Sequence, residues 1–228
     1  MKPVTKHLSQ PEFIALVAML AATIAFSIDA MLPALPQIAE ELSPDNLNRA
    51  QLILTSFVLG IGIGTFFTGP LSDAFGRKPV MVWGAVLYII ATSVAWASTS
   101  MEMMLISRVI MGLGAAGPRV VAMAMVRDIY GGREMARIMS FVMMVFALIP
   151  ALAPTMGHYI IIGFGWRAIF VAFIFFSLAT SVWLILRQPE TLSIKDRRSL
   201  DMKSLMSGAR EVFSIPTTRL SIMIQTLT

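Results

Sequence analysis

The sequence predicts an all-α membrane protein: a six-helix transmembrane bundle over 13–186, followed by a cytosolic linker and the start of a seventh helix. Three observations carry that prediction. Of 228 residues, 57% are hydrophobic and 14% charged, with a mean hydropathy of +0.77; a soluble domain of this size cannot hide so much apolar side chain. The apolar residues gather into six stretches of membrane length, about 20 residues each. The cations lie mostly on one side of those stretches. The same composition excludes intrinsic disorder, which needs low hydrophobicity and high net charge. With no cysteine, a disulfide scaffold, a thiolate metal site and a cysteine nucleophile are excluded too.

Residues 1–12 are a cytosolic N-terminus carrying Lys2 and Lys6. The first stretch, 13–32, is too long and has too many successors to be a cleavable signal peptide. Its Ala18, Ala22, Ala25 and Asp29 fall within about 60° of one another on a helix, an alanine face with one acid. The second, 52–71, carries Gly60, Gly62 and Gly64, small residues that let membrane helices approach closely. A short loop, 72–79, leads to the third, 80–99, with Trp83 and Trp96 near its ends at headgroup level. The fourth is 103–126 and the fifth 138–162, the latter containing Pro150 and Pro154. The sixth, 166–186, has Trp166 and Trp183 near its ends. The polar segment 187–219 reads as a cytosolic linker, and 220–228 opens a seventh helix that nine residues cannot carry across a bilayer.

The net charge of +5 and pI near 10.0 suggest nucleic acid until the cations are placed. Fourteen of the eighteen lie at the N-terminus, in the 72–79 and 127–137 loops and in the 187–219 segment. On the opposite side stand only Arg49 and Arg167, while Arg108 and Arg119 fall within a span. The excess is therefore a topology signal that puts both ends of the bundle in the cytosol, and nucleic-acid binding loses its support.

Two motifs imitate enzymes. Gly112-Leu113-Gly114-Ala115-Ala116-Gly117 matches G-x-G-x-x-G, yet that mechanism needs a turn between strand and helix, with free N–H groups facing pyrophosphate. Inside a membrane helix the N–H groups are already used, so a small-residue packing face is the better reading. The stretch from Gly69 to Lys78 fails the phosphate-loop pattern in its glycine spacing. His7 and His158 make no metal site, and nothing in the motifs supports an enzyme.

Ionisable residues in hydrocarbon cost at least ~2.5 kcal/mol on insertion scales and are functional candidates by default. Here they are Asp29, Arg108 and Arg119. On the fourth helix the two arginines lie about 20° apart, with Gly112, Ala115 and Ala122 on the same face. That face reads as the wall of a watered cavity. Asp29 and Arg108 both fall in the outer half of the membrane, where they either pair or share one cavity; the alternative is a structural ion pair. For Arg119, near the cytosolic end, the alternative is snorkelling. An acid that meets water from alternate sides beside a cation is what proton coupling requires. Pro150 and Pro154 stand on one face of the fifth span, where a bend serves alternating access or is mere curvature.

Gly69-Pro70-Leu71-Ser72-Asp73-Ala74-Phe75-Gly76-Arg77-Lys78 resembles the G-x-L-x-D-x-x-G-R-K signature of the major facilitator superfamily, in the expected loop between spans two and three. Asp29 through Pro36, Arg108-x-x-x-Gly112 and the Pro150–Gly157 stretch resemble motifs of its drug/proton antiporter branch. Arg127-Asp128-Ile129-Tyr130 and Gly165-Trp166-Arg167 are similar to its bicyclomycin-resistance (Bcr/CflA) subfamily. The resemblance implies a secondary active exporter in a bacterial inner membrane, exchanging protons for drugs or small amphipathic metabolites, with the proton gradient as driving force and no cofactor. It further implies a cytosolic gate of Gly69, Asp73, Gly76, Arg77 and Lys78, with Asp128 as charge partner of Arg77. Asp29 and Arg108 would serve proton coupling, and Pro150, Ala153, Pro154 and Gly157 would shape the antiport-associated bend. Arg119 belongs to no motif and rests on helix geometry alone. Such transporters have two six-helix halves with the substrate between them. The expectation is therefore a fragment or truncated form lacking its C-terminal half, or a half that needs a second half-transporter. A metabolite or sugar uptake transporter of the same superfamily and a non-transporting packing subunit are the alternatives.

Overall fold

The computed structural model describes residues 8–197, and among these no strand occurs. The α-helices are α1 (Gln10–Asp29), α2 (Leu35–Leu42), α3 (Gln51–Phe75), α4 (Arg77–Trp96), α5 (Met101–Ile129), α6 (Gly132–Phe164) and α7 (Arg167–Arg187). Taking α1 and α2 together, six helical units are long and apolar enough to cross a membrane. The expected linker is described only as far as Arg197, with a 3₁₀ turn at Ile194–Asp196; residues 198–219 and the expected seventh helix at 220–228 lie outside the described residues.

Each helix starts and stops for local reasons. α1 has Pro11 and Glu12 in its first turn, where a missing N–H costs nothing and a negative charge meets the helix dipole. It ends before Pro33, the chain passing through a 3₁₀ turn at Leu32–Ala34 into α2. The expected span 13–32 thus continues outward as a second, short helix. α5 is capped by Ser100, whose Oγ accepts from Met103 N at 3.2 Å. α3, α5 and α6, of 25, 29 and 33 residues, outrun their apolar windows toward the 72–79 and 127–137 loops. Hydropathy ends where lipid ends; backbone hydrogen bonding carries the helices on into water.

α5 is the centre of the packing, lying along α3 and α4, while α1 rests against α5, α6 and α7. The small-residue face expected on the fourth span is this seam. A Cβ at Gly112 would collide with Phe57 O on α3, and one at Gly114 would stand 2.6 Å from Gly84 O on α4. The glycines are thus spent on backbone contact between helices, which is how lipid-embedded helices gain packing energy. Buried residues form two clusters, one with Ile53, Phe57, Tyr88 and Phe170, the other with Phe13, Leu16, Met125 and Ile138. α1 and α5 are the two most enclosed membrane helices, and they carry all three intramembrane charges.

The outer surface is apolar, as a bilayer requires: Phe164, Phe175 and Leu186 stand exposed beside Trp83 and Trp96. The tryptophans of the sixth span differ from expectation. Trp166 is buried and donates from Nε1 to Glu41 at 2.8 Å, and half-buried Trp183 donates to Glu12 at 3.3 Å. Each indole has found an acid on the α1–α2 unit, so they tie α7 to its neighbours.

Candidate functional site

Three groups of charged side chains emerge, at the break of α1, in a membrane cavity and at the turn between α3 and α4, on the side expected to be cytosolic. At the break, Met31 N donates to Ile28 O at 3.3 Å, a tightened turn that leaves Ser27 O open. Arg108 takes it: Nη2 donates to Ser27 O at 3.2 Å and Nε to Ile53 O at 3.3 Å, with the guanidinium 4.3 Å from the centre of the Phe57 ring. A cation is thereby held at the negative end of the α1 dipole, fully buried and without a carboxylate. Among the described residues its Nη1 has no hydrogen-bond partner. Ser27 Oγ donates to Thr23 O at 2.7 Å and lies 2.6 Å from the Tyr88 hydroxyl, which must then be the donor of that contact.

Asp29 and Arg108 neither pair nor share a cavity, contrary to both expectations for them. Asp29 instead lines a cavity of about 230 Å³ together with Arg119, Phe146, Ile24 and Ile28. The 20° separation of the two arginines describes a direction along α5, and the neighbours change along that direction. At Arg108, α1 and α3 close over the side chain. Eleven residues and roughly 16 Å further on, Arg119 borders residues of α1 and α6 and remains exposed. Among the described residues, neither Asp29 nor Arg119 makes an ion pair or a side-chain hydrogen bond.

At the cytosolic turn the structure brings Asp73, Arg77 and Asp128 together. Arg77 Nη1 donates to Asp73 Oδ1 at 2.5 Å and to Ser72 Oγ at 2.7 Å, and Nε donates to Asp128 Oδ2 at 2.9 Å. Gly76 makes the turn, with φ at 107°, a conformation that a side chain strains. Lys78 takes no acid; its Nζ donates to Ile185 O at 2.7 Å, near the end of α7. Gly69 faces open space.

Two residues here escaped the sequence reading. Glu190 places its carboxylate over the N-terminus of α4, accepting from Arg77 N at 3.0 Å and Lys78 N at 3.1 Å. A Cβ on Gly76 would lie 2.7 Å from that carboxylate, a second reason for glycine there. Thr191 Oγ1 donates to Asp128 at 3.1 Å. The available signal was Pro189-Glu190-Thr191 directly after the last apolar helix, an acid just where the N-terminus of a neighbouring helix needs one.

α6 runs unbroken through Pro150 and Pro154, both half-buried. The first loses a helix hydrogen bond to the second, which has no N–H to give. Ala153 is buried, and Gly157 packs so close to Ala30 that a Cβ would collide with Ala30 O. The Pro150–Gly157 stretch therefore lies against the end of α1, next to Asp29.

Against known families, residues 15–227 match the model of the Major Facilitator Superfamily. The chain belongs to that superfamily. It is 34% identical to the multidrug resistance protein MdtL of Citrobacter koseri over 79% of this chain and 47% of that protein. It is 32% identical to the bicyclomycin resistance protein homolog of Haemophilus influenzae over 81% of this chain and 46% of the relative. A chloramphenicol resistance protein of Pseudomonas aeruginosa is 35% identical over 64% of this chain and 35% of its own length. The chain thus spans about half the length, or less, of these curated relatives. Among solved structures, the human organic anion transporter MFSD10 superposes with a TM-score of 0.68 at 19% identity, covering 87% of this chain and 53% of that one. A D-xylose–proton symporter gives 0.68 at 17%, over 88% and 53%. At such identities the likeness establishes the fold alone. Superfamily membership and six apolar helices make this an integral membrane protein of a transporter family, not an enzyme.

Proposed function

We propose that this chain supplies the N-terminal half of a proton-coupled exporter of drugs or small amphipathic metabolites, working by alternating access in a bacterial inner membrane. The observation that carries the reading is Asp29, an acid on the wall of a membrane cavity, at the point where α1 stops being α-helical. A carboxyl there takes up or releases a proton as its access to water changes. Gly157 of the proline-containing stretch lies against the same point, so movement of α6 bears on the surroundings of Asp29.

Arg108 holds the break of α1 in place, which makes it a positioning residue for Asp29. Asp73, Arg77, Asp128, Gly76 and Lys78, with Gly69 on the open side, form the cytosolic gate, and Glu190 fixes its helix. A second six-helix half, covalently joined or separate, completes the cavity and gives the gate a partner. On this reading both ends of the bundle lie in the cytosol: fourteen of the eighteen cations stand on that side, while Arg49 and Arg167 on the other are each paired, to Glu102 and Glu41. The names of the drug-resistance relatives support export, with the chain's own substrate to be determined.

The test uses everted vesicles from cells making the chain, alone and joined to the C-terminal half of a relative. Chloramphenicol or bicyclomycin added to energised vesicles should release protons, and Asp29→Asn at equal abundance should abolish the release. Undiminished release in that variant would sink the proposal.

A further inference from the structure

The cavity between α1, α5 and α6 holds one carboxylate and one guanidinium, and it leaves them apart. Asp29 and Arg119 both line it, with Phe146, Ile24 and Ile28 forming apolar wall. Among the described residues they are its only charged groups, and neither has an ion-pair partner. Elsewhere the described carboxylate–cation pairs close at 2.5–2.9 Å. Asp29 and Arg119 face a common space of about 230 Å³ instead.

We infer that this cavity recognises zwitterionic amphiphiles: a ligand whose ammonium meets Asp29, whose carboxylate or similar anion meets Arg119, and whose apolar body lies against Phe146. Arg119 is suited to the anion because its planar fork takes two carboxylate oxygens at once. The pair also discriminates. A simple cation attracted to Asp29 approaches the like charge of Arg119, and a simple anion meets the Asp29 charge in the same way. A ligand carrying both charges satisfies both groups and adds no net charge to the membrane interior. A proton on Asp29 removes the ammonium's partner, so ligand and proton compete, as exchange requires. The inference rests on the transport reading and names the substrate class for its site.

The chain has no cysteine, so Ile28→Cys places a single thiol on the cavity wall. In detergent-solubilised chain, its labelling by a maleimide is timed with millimolar L-phenylalanine, phenethylamine or 3-phenylpropanoate, three probes sharing one apolar body. Phenylalanine should slow labelling about tenfold more than either singly charged probe, the factor given by one charge-assisted contact of about 1.4 kcal/mol. Arg119→Gln should erase that advantage and leave the amine as good as the zwitterion. Ala25→Cys, on the same wall, repeats the measurement where Ile28→Cys folds poorly. Protection by the amine equal to that by phenylalanine, protection by none of the probes, or an advantage that survives Arg119→Gln would each overturn the inference. Proton release in vesicles is a separate readout, so the transport reading can fail or stand whatever the labelling shows.

Discussion

The cytosolic turn and the membrane cavity each hold acid and arginine, and they treat them in opposite ways. At the turn the acids are used: Arg77 binds Asp73, Asp128 and Ser72, and Glu190 caps the helix that Arg77 begins. In the cavity Asp29 and Arg119 line a common space without pairing. Arg108 is a third case, a buried cation held by helix carbonyls and an aromatic face. Charge spent internally stiffens a structure; charge left open is available to a proton or a ligand. On the proposed reading, the difference separates the part of the bundle that holds a state from the part that binds proton and ligand.

Substitution tests that contrast directly. Arg77→Ala should be the most damaging of four changes, costing about 2–3 kcal/mol because it strands two carboxylates and a hydroxyl around a nearly buried position. Thermal unfolding of the chain in detergent measures it, and a loss no larger than for a surface substitution would break the contrast. Glu190→Ala should cost less, on the order of 1 kcal/mol, since it removes a charged helix cap while the guanidinium network stays. Amide hydrogen exchange at Arg77 and Lys78 should quicken in that variant, and unchanged protection would show the cap to be idle. Arg119→Gln should shift stability by no more than about 0.5 kcal/mol, there being no internal partner to lose. Marked destabilisation there would mean that the cavity pair is structural. Smallest of all is Arg49→Ala at the outer end, where the pair with Glu102 is exposed on both sides, at 36% and 65%. No change in melting temperature is expected there, because water and salt already screen such pairs.

How much of this was legible beforehand varies by region. The six spans were readable because the membrane imposes a length and a polarity that composition must obey. The small-residue seam was readable because Gly112 and Gly114 have few uses inside a membrane helix except close approach. The meeting of Arg77 with Asp73 follows from a spacing of four on the chain, but Asp128 lies 51 residues away and was reached only through family resemblance. Glu190 and Thr191 went unseen, since nothing local marks an acid 112–113 residues distant as a helix cap. Asp29 and Arg108 were expected to meet on grounds of depth, and depth says nothing of which neighbour intervenes. The tryptophans of the sixth span were assigned to the headgroups by position, while their partners, Glu12 and Glu41, were set by packing.

By itself the sequence determined the class, the number of spans, the charge bias between their ends and the residues that carry charge into the membrane. Those follow from one-dimensional quantities, namely hydropathy, length and charge count, which a bilayer reads directly. Only the tertiary structure decided which charges meet. Arg108 and Arg119 share a face of one helix, yet one is sealed beneath α1 and α3 and the other opens on Asp29. That outcome depends on how closely neighbouring helices approach at each height, a property of the whole bundle and not of any one segment.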